Sequence, residues 1–302
     1  MGGQEHHISV CICTYRRPQL LRRLLDSLRD QETDGLFTYS ITLADNDSLC
    51  SAEAVVSEFA SCSQISVRYC VEPQRSVSLT RNKAIENARG DFIAFIDDDE
   101  FTTRDWLRTL FEACSKDGVA GVLGPVNSHF DVAPPEWVLR GNFYQHSVSP
   151  TGSVVEWTKA RTGNVLFKKE ILSAEELPFR PQFRGGGADQ DFFRRMMEKG
   201  HRFVWCEEAV AYEVVPPVRW KRSFMLKRAL LRGGATPLHP TFGVKDILKS
   251  VIAVPAYALA LPFALVWGHH RFMRVMISLC DHVGKLLACL GIRPIKVAYV
   301  TE

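Results

Sequence analysis

The sequence predicts an α/β fold in which helices flank a mostly parallel sheet, followed by a helical C-terminal segment. Short β-rich runs alternate with helical patterns through the first hundred residues, which favours parallel strands joined by right-handed crossovers. The 302 residues are 46% hydrophobic and 24% charged, as in an ordinary folded protein with room for a large domain and an appendage. Residues 250–268 are 19 uncharged positions, near the roughly 20 that span a bilayer.

The first half divides into alternating strands and helices. Pro18 opens a helix whose leucine stripe would pack on the sheet, and Gly90 ends another helix. The stripe consists of Leu20, Leu21, Leu24, Leu25 and Leu28. Strands are predicted over 8–14, 39–45, 65–71 and 92–96, and helices from 18, around 55–59 and over 78–89.

The second half has a mixed pattern, typical of an α+β region. A helix is expected over 106–114, and a glycine run at 185–187 precedes a helix over 189–199 that Gly200 ends. Strands are expected near 119–126 and over 164–168, with a proline loop at 134–135. We expect a domain over residues 1–245 and an apolar, basic helical segment for membrane association over residues 246–302.

The cysteines and the N-terminus favour a cytosolic protein. None of the nine cysteines is paired as C-x-x-C, so we expect reduced thiols rather than a disulfide or zinc site. The polar start up to His7 lacks the apolar run of a secretory signal. His6 stands where a myristoylation pattern needs Ser or Thr.

Three predicted strands run into polar residues, and the carboxyl ends of parallel strands are where such sheets bind ligands. If the strand order is 3-2-1-4, neighbours about 4.8 Å apart bring Thr14, Asp45 and Asp97 close together. The three exits are Thr14 to Arg16, Asp45 to Asp47 and Asp97 to Asp99.

Consecutive carboxylates repel one another, and a divalent cation would relieve that repulsion. Mg²⁺ and Mn²⁺ prefer oxygen ligands, and they need only a few protein carboxylates when substrate phosphates also coordinate them. The other interpretation of the triplet is a solvated acidic turn. Arg75, Arg81 and Lys83 lie near the start of a helix, where they would meet phosphate or simply face solvent.

At the level of whole motifs the chain resembles the family 2 inverting glycosyltransferases, over roughly residues 8–232. The matching segments are ISVCICTYRRPQLLRRLLDSL, ITLADNDS, SLTRNKAIENARGDFIAFIDDDE and GGGADQDFFRRMMEKG, in the expected order. The resemblance implies a Rossmann-like GT-A fold. It also implies that the nucleotide is bound by Thr14, Tyr15, Arg16, Asp45, Arg81, Asp97 and Asp98. Asp97 and Asp99 would form the D-x-D motif, with Asp99 holding Mg²⁺ or Mn²⁺ against the diphosphate and Asp97 touching ribose or metal.

The family's second motif reads Glu-Asp-x-Asp, whereas this chain has Ala188 before Asp189. The resemblance makes Asp189 the catalytic base, and Asp191 an accessory residue that caps or orients the helix. A simpler role for Asp189 is a carboxylate favoured by the helix dipole. Trp220 is a further accessory or acceptor-side candidate.

The function implied is metal-dependent, inverting transfer from a nucleoside diphosphate sugar, with UDP expected, to a saccharide or polyprenyl-linked acceptor in cell-surface polysaccharide or glycolipid synthesis. A soluble acceptor or a protein is the close rival. A nucleotidyltransferase is disfavoured because no glycine-rich loop follows the first strand. An inactive sugar-nucleotide-binding or membrane-associated module is the alternative, with Ala188 as its support.

The C-terminal third is basic, with 14 Lys and Arg against 6 Asp and Glu over residues 201–302. The segment from Arg219 to Arg232 would bind donor or acceptor phosphates, lie on an anionic bilayer, or form a solvated helix; nucleic acid is not expected. For residues 250–268 we favour in-plane or re-entrant attachment over a single span or a soluble hairpin, because Pro255 and Pro262 interrupt them. The expected location is the cytoplasmic face of the inner membrane, peripheral or C-terminally inserted.

Overall fold

A computed structural model describes residues 6–145, 148–183, 187–239, 241–292 and 295. Its strands form a seven-stranded sheet in the order β3-β2-β1-β4-β8-β6-β9 and a three-stranded sheet in the order β5-β10-β7. The strands are β1 (His6–Thr14), β2 (Phe37–Asp45), β3 (Val67–Val71), β4 (Phe92–Asp97), β5 (Glu100–Thr102), β6 (Gly121–Leu123), β7 (Val126–His129), β8 (Asn164–Lys168), β9 (Phe203–Trp205) and β10 (Ala211–Val214).

Helices cover both faces of the large sheet. They are α1 (Pro18–Leu28), α2 (Glu53–Cys62), α3 (Val77–Asn87), α4 (Trp106–Cys114), α5 (Glu136–Gly141), α6 (Ala188–Glu198), α7 (Arg222–Ala235), α8 (Val244–Val266) and α9 (His269–Cys289). Alternate residues of β1 divide between the two apolar layers: Ile8, Val10 and Ile12 pack with α1, α2 and α4, while Cys11 packs with α3 and α6. The predicted α/β class, with a mostly parallel sheet flanked by helices, is confirmed.

The predicted order 3-2-1-4 holds, and parallel pairing sets the register of the strand ends. Thr14 pairs with Asp45, and Cys13 pairs with Asp97. Strand β8 then runs antiparallel between β4 and β6. The carboxyl ends of β1, β2 and β4 therefore share one edge, and that edge carries the predicted site.

Several predicted elements are corrected by the structure. The single strand expected near 119–126 is two strands in different sheets, because the chain turns at Gly124 and Pro125 between β6 and β7. A Cβ at Gly124 would lie 2.1 Å from the carbonyl oxygen of Ala209, so only glycine fits this close approach. The helix expected over 78–89 ends at Asn87, and of the glycine run only Gly187 lies within the described residues.

Asn164 joins the two sheets through its buried side-chain amide, and both the nitrogen and the oxygen of that amide are hydrogen-bonded within the protein. Its Nδ2 donates to the carbonyl oxygens of Pro125 and Ala209, at 3.0 and 2.7 Å. Its Oδ1 accepts from Trp106 Nε1 at 2.9 Å. A fully paired buried amide fixes the small sheet relative to the large one, and so fixes the position of the chain that leaves β10.

The C-terminal helices form a hairpin that packs on α7. Helices α7 and α9 cross closely, because Cβ atoms at Gly233 and Gly284 would lie 2.0 and 2.4 Å from backbone oxygens of the facing helix. Helix α8 starts two residues before the predicted boundary at 245/246 and is continuous through Pro255 and Pro262. By length and hydropathy it is the one helix in the described part of the chain that qualifies as a candidate membrane span. All nine cysteines are free thiols, as predicted.

Candidate active site

A cavity of about 600 Å³ lies at the shared strand edge, between the large sheet and α7. From the sheet side it is lined by Cys13, Thr14, Tyr15, Arg17, Asn46, Val77, Thr80, Arg81, Asp97, Asp98 and Asp99. From the other side it is lined by Glu213, Arg219, Phe224, Lys227, Arg228 and Leu231, together with Ile295. Five of the predicted nucleotide-binding residues therefore share one cavity: Thr14, Tyr15, Arg81, Asp97 and Asp98.

The turn after β1 sends its two arginines in different directions. Arg16 has a left-handed backbone with φ of 52°, and its guanidinium binds Asp47 at 2.7 Å, outside the cavity lining. Arg17 faces inward and donates to Asp98 at 2.8 Å and Asp99 at 3.2 Å. Tyr15 lies beside the cavity with the guanidinium of Arg75 4.7 Å from its ring centre.

Asp45 lies at the predicted edge but is fully buried behind the cavity wall. Its carboxylate accepts hydrogen bonds from the backbone of Asp47 and Ala52, at 2.9 and 2.8 Å, and from the Tyr69 hydroxyl at 2.9 Å. The next residue, Asn46, lines the cavity instead. In this structure Asp45 shapes the loop that carries Asn46.

Two members of the aspartate triplet, Asp98 and Asp99, are held by the half-buried Arg17 and the buried Arg219. Asp98 accepts from the Thr14 hydroxyl at 2.7 Å as well as from Arg17. Asp99 is bound by both Arg17 and Arg219. Arg219 also binds Glu213, so it ties the strand β10 to the triplet. These pairs offset much of the repulsion that three adjacent carboxylates would otherwise create.

Asp97 differs from its neighbours because its side chain is 49% accessible and faces the cavity. The carboxylate is nevertheless recessed, and the resulting loss of surrounding water, opposed by Arg81 and reinforced by Asp99, raises the pKa of Asp97 to about 7. Burial, opposed by Arg17, raises the pKa of Asp98 to about 6. The carboxyl of Glu100 accepts from the Asp97 backbone at 3.1 Å, and burial followed by repulsion from Asp97 raises the pKa of Glu100.

Arg81 links the triplet to the second predicted motif. Its guanidinium lies 2.5 Å from Asp189 Oδ1 and 4.0 Å from Asp97 Oδ1. The other oxygen of Asp189 accepts from the Thr162 backbone at 3.4 Å. Residues more than a hundred positions apart in the chain are thus brought to one site, as the motif order predicted.

The other acidic residue of that motif is structural in its contacts. Asp191 is fully buried in α6 and accepts from Arg195 Nε at 2.9 Å, one turn further on. Arg195 in turn binds Glu175 and the carbonyl oxygen of Pro178. This agrees with the orienting role considered for Asp191. Ala188, where the family motif has glutamate, is buried at the start of α6.

Trp220 lies in a separate apolar cluster rather than in the cavity lining. Its ring is 5.9 Å from that of Phe130, and the cluster also contains Val138, Tyr144 and Val215. The adjacent Arg219 is the residue of this turn that reaches the cavity. Any part that Trp220 plays is therefore indirect, through the position of Arg219.

A family model decides what kind of protein carries this site. The model for glycosyl transferase family 2 matches residues 9–171, more than half of the chain. The chain belongs to glycosyl transferase family 2. This glycosyltransferase is 31% identical to the succinoglycan biosynthesis protein ExoM of Rhizobium meliloti (strain 1021), over 98% of this chain and 97% of that protein.

Solved structures support the GT-A fold of this glycosyltransferase. The mannosyltransferase PcManGT from Pyrobaculum calidifontis, in complex with GDP-Man and Mn²⁺, has a TM-score of 0.67 at 16% identity, covering 95% of this chain and 88% of that one. TarS 1-349 from S. aureus, in complex with UDP, has a TM-score of 0.55 at 14% identity, covering 96% and 94%. At these identities the likeness concerns the fold.

Asp97 and Asp99 are the candidate ligands for a divalent ion in this glycosyltransferase. Asp97 presents an accessible carboxylate to the cavity, and Asp99 lies two residues on, paired with Arg17 and Arg219. Within residues 6–145, 148–183, 187–239 and 241–292, no group of three or more His, Cys, Asp or Glu side chains is arranged as a metal site. One or two carboxylates plus substrate phosphates are the usual ligands of Mg²⁺.

Sequence reasoning missed three residues of this glycosyltransferase site, Arg17, Glu100 and Glu213; it included Asn46 and Arg219 only as members of a strand exit and of the basic segment. Asn46 and Glu100 adjoin predicted residues, so a wider window at each strand end includes them. Arg17 and Arg219 each sit beside another candidate, Arg16 and Trp220, and the backbone turn decides which of the two faces inward. No local pattern distinguishes Glu213, which reaches the site through the second sheet.

Proposed function

We propose that this glycosyltransferase transfers a sugar, with metal dependence and inversion, from a nucleoside diphosphate donor to a saccharide or polyprenyl-linked acceptor in cell-surface polysaccharide synthesis. The observation that carries the proposal is the contact of Arg81 with Asp189 beside Asp97, at the cavity on the shared strand edge. Arg81 contacts Asp189, which we propose as the base, and lies 4.0 Å from Asp97, which we propose as a metal ligand. The similarity to ExoM supports a role in polysaccharide synthesis.

The donor would lie along the strand edge, with its base near Tyr15 and Asn46 and its diphosphate near the triplet. UDP is the expected nucleotide, and the UDP complex of TarS and the GDP-Man complex of PcManGT support a nucleotide sugar in such a fold. Asp97 and Asp99 would hold Mg²⁺ or Mn²⁺, which supplies charge neutralisation for the leaving diphosphate. Arg81 adds a cation to that side of the site.

Asp189 would accept the proton of the acceptor hydroxyl as that oxygen attacks the anomeric carbon. The bond from the anomeric carbon to the diphosphate breaks, and its electron pair leaves with the phosphate oxygen. A single displacement of this kind inverts the anomeric configuration. The ion pair with Arg81 orients the carboxylate of Asp189 before the acceptor arrives.

A donor screen tests the proposal. We expect one nucleoside diphosphate sugar of a broad panel to raise the melting temperature in the presence of Mn²⁺, and EDTA to abolish that rise, because only the folded protein binds the metal-bridged donor. Differential scanning fluorimetry measures the shift. If no member of the panel gives an EDTA-sensitive shift, the proposed donor chemistry is wrong.

The α8–α9 hairpin would attach the enzyme to a membrane in the plane of the bilayer. Helix α8 and the residue that caps it expose many large apolar side chains: Leu248, Val251, Ile252, Leu259, Phe263, Leu265, Val266 and Trp267. Lys245, Lys249, Arg271 and Arg274 flank it. Because α9 packs on α7 of the catalytic domain, the hairpin lies alongside that domain, which supports in-plane attachment over a full span.

Liposome flotation tests the attachment. We expect the protein to float with vesicles containing phosphatidylglycerol, less so at high salt, and Ile252→Glu combined with Phe263→Glu to abolish flotation, since both side chains are at least 65% exposed on α8. Leu36→Glu, at a 43% exposed site in the catalytic domain, is the matched control. Flotation of the double variant at the unsubstituted level would contradict attachment through α8.

A further inference from the structure

Helix α7 presents one face to the donor cavity. Phe224, Lys227, Arg228 and Leu231 all line it, and their spacing of three and four residues places them on one side of the helix. Phe224 lies about one helical turn before Lys227 and Arg228, and Leu231 lies about one turn after them. The wall opposite the aspartate triplet is therefore basic at its centre and apolar at its ends.

Arg228 differs in its contacts from the other arginines of the cavity. It forms neither a hydrogen bond nor an ion pair with any residue in the described part of the chain, although its side chain is accessible from the cavity. The other cavity arginines are engaged: Arg17 binds Asp98 and Asp99, and Arg219 binds Asp99 and Glu213. Lys227, also on the cavity wall, likewise lacks a carboxylate partner among the described residues.

The surroundings of Arg228 resemble a site built for an anion. Loss of water in the recess, followed by repulsion from Arg219, lowers the pKa of Arg228, while attraction to Glu213 and Asp99 opposes that effect. A guanidinium stays charged under these conditions. Glu213 and Asp99 attract this charge without forming an ion pair with it, so an anion that enters the cavity would be its first direct partner.

We propose that Arg228, assisted by Lys227, binds the diphosphate of the sugar nucleotide from the side opposite Asp97 and Asp99. This rests on the proposed function and assigns a second, cationic wall to the leaving group. Its closeness to Asp99 and Arg219 favours the donor's phosphates over a phosphate of the acceptor. As the sugar is transferred, the negative charge that develops on the departing phosphate is stabilised by Arg228. The proton of the acceptor goes to Asp189.

Isothermal titration calorimetry with Arg228→Gln tests this. We expect the variant to bind the preferred member of the five common nucleoside diphosphates about 10-fold more weakly than the unsubstituted protein in Mn²⁺, because one charge-assisted hydrogen bond to phosphate is lost. Affinity for the uncharged nucleoside, measured by competition, should stay the same. Arg228→Lys should retain most of the diphosphate affinity.

Arg222→Gln is the matched control, because it removes the same charge from α7 at an exposed position outside the cavity lining. Circular dichroism verifies that each variant is folded. Equal diphosphate affinity of Arg228→Gln and the unsubstituted protein would overturn the inference. So would a variant with normal diphosphate affinity that loses binding only to vesicles carrying a polyprenyl phosphate. If the unsubstituted protein binds none of the five diphosphates, the proposed function itself fails.

Discussion

Replacing Asp189 by asparagine is expected to lower kcat by ~10²- to 10⁴-fold, the usual contribution of a general base. The amide keeps one oxygen that accepts from Arg81, and only the long 3.4 Å bond from the Thr162 backbone to the second carboxylate oxygen is lost. It cannot take a proton from the acceptor hydroxyl. Binding of the donor should therefore be retained while turnover is lost. Steady-state kinetics and the Mn²⁺-dependent thermal shift measure the two effects separately.

Asp191→Asn is the informative comparison for Asp189. Asp191 is two residues further on and buried against Arg195, so its substitution should reduce thermal stability and leave the kcat of the folded fraction within a few-fold. The opposite pattern, with Asp189→Asn active and Asp191→Asn inactive, would show that Asp191 and not Asp189 is the base. A nearly unchanged kcat in both variants would place the base outside this motif.

The strand edge was predictable because its geometry follows from strand order. Once the first four strands are parallel in the order 3-2-1-4, residues at their carboxyl ends share one edge whatever the loops do. Thr14 and Asp97 were placed correctly by this rule alone. Arg81 and Asp189 needed more, because 108 positions separate them and only the order of the motifs indicated that they meet.

Side-chain direction at the edge was not predictable. Arg16 and Arg17 are chemically equivalent neighbours, and the positive φ of Arg16 turns one outward to Asp47 and the other inward to the triplet. Asp45 has the right position, yet nearby backbone N–H groups and the Tyr69 hydroxyl bind its carboxylate. Such choices depend on which donors lie within hydrogen-bond reach, and these come from distant parts of the chain.

The second sheet was missed for a different reason. Strands β5, β7 and β10 have three or four residues each, too short for a periodic pattern to stand out. Their pairing matters nonetheless, since β10 carries Glu213 and leads into the turn that holds Arg219. The position of Arg219 thus depends on strand pairing that no single segment of the sequence encodes.

Replacing Asp97 by alanine is expected to lower kcat/KM by about 10³-fold and to abolish the Mn²⁺-dependent thermal shift with the donor. A metal ion contributes several kcal/mol to stabilising a leaving phosphate, and each 1.36 kcal/mol corresponds to tenfold in rate. Asp97 is the triplet member whose carboxylate is open to the cavity, so its loss removes the accessible ligand. Kinetics with a fixed donor and a Mn²⁺ titration measure the effect.

The same substitution should not destabilise the protein without ligands. Loss of surrounding water raises the pKa of Asp97 to about 7, so the folded state binds its proton more tightly than the unfolded state does. Such a group lowers stability as pH rises from about 4 to 7, and its removal should leave the melting temperature at pH 8 equal or higher. Asp91→Ala, just before the opposite end of strand β4, should leave kcat/KM and the metal response unchanged. If the Asp97→Ala protein keeps its Mn²⁺ response, other residues bind the metal. If the protein unfolds instead, the role of Asp97 is structural.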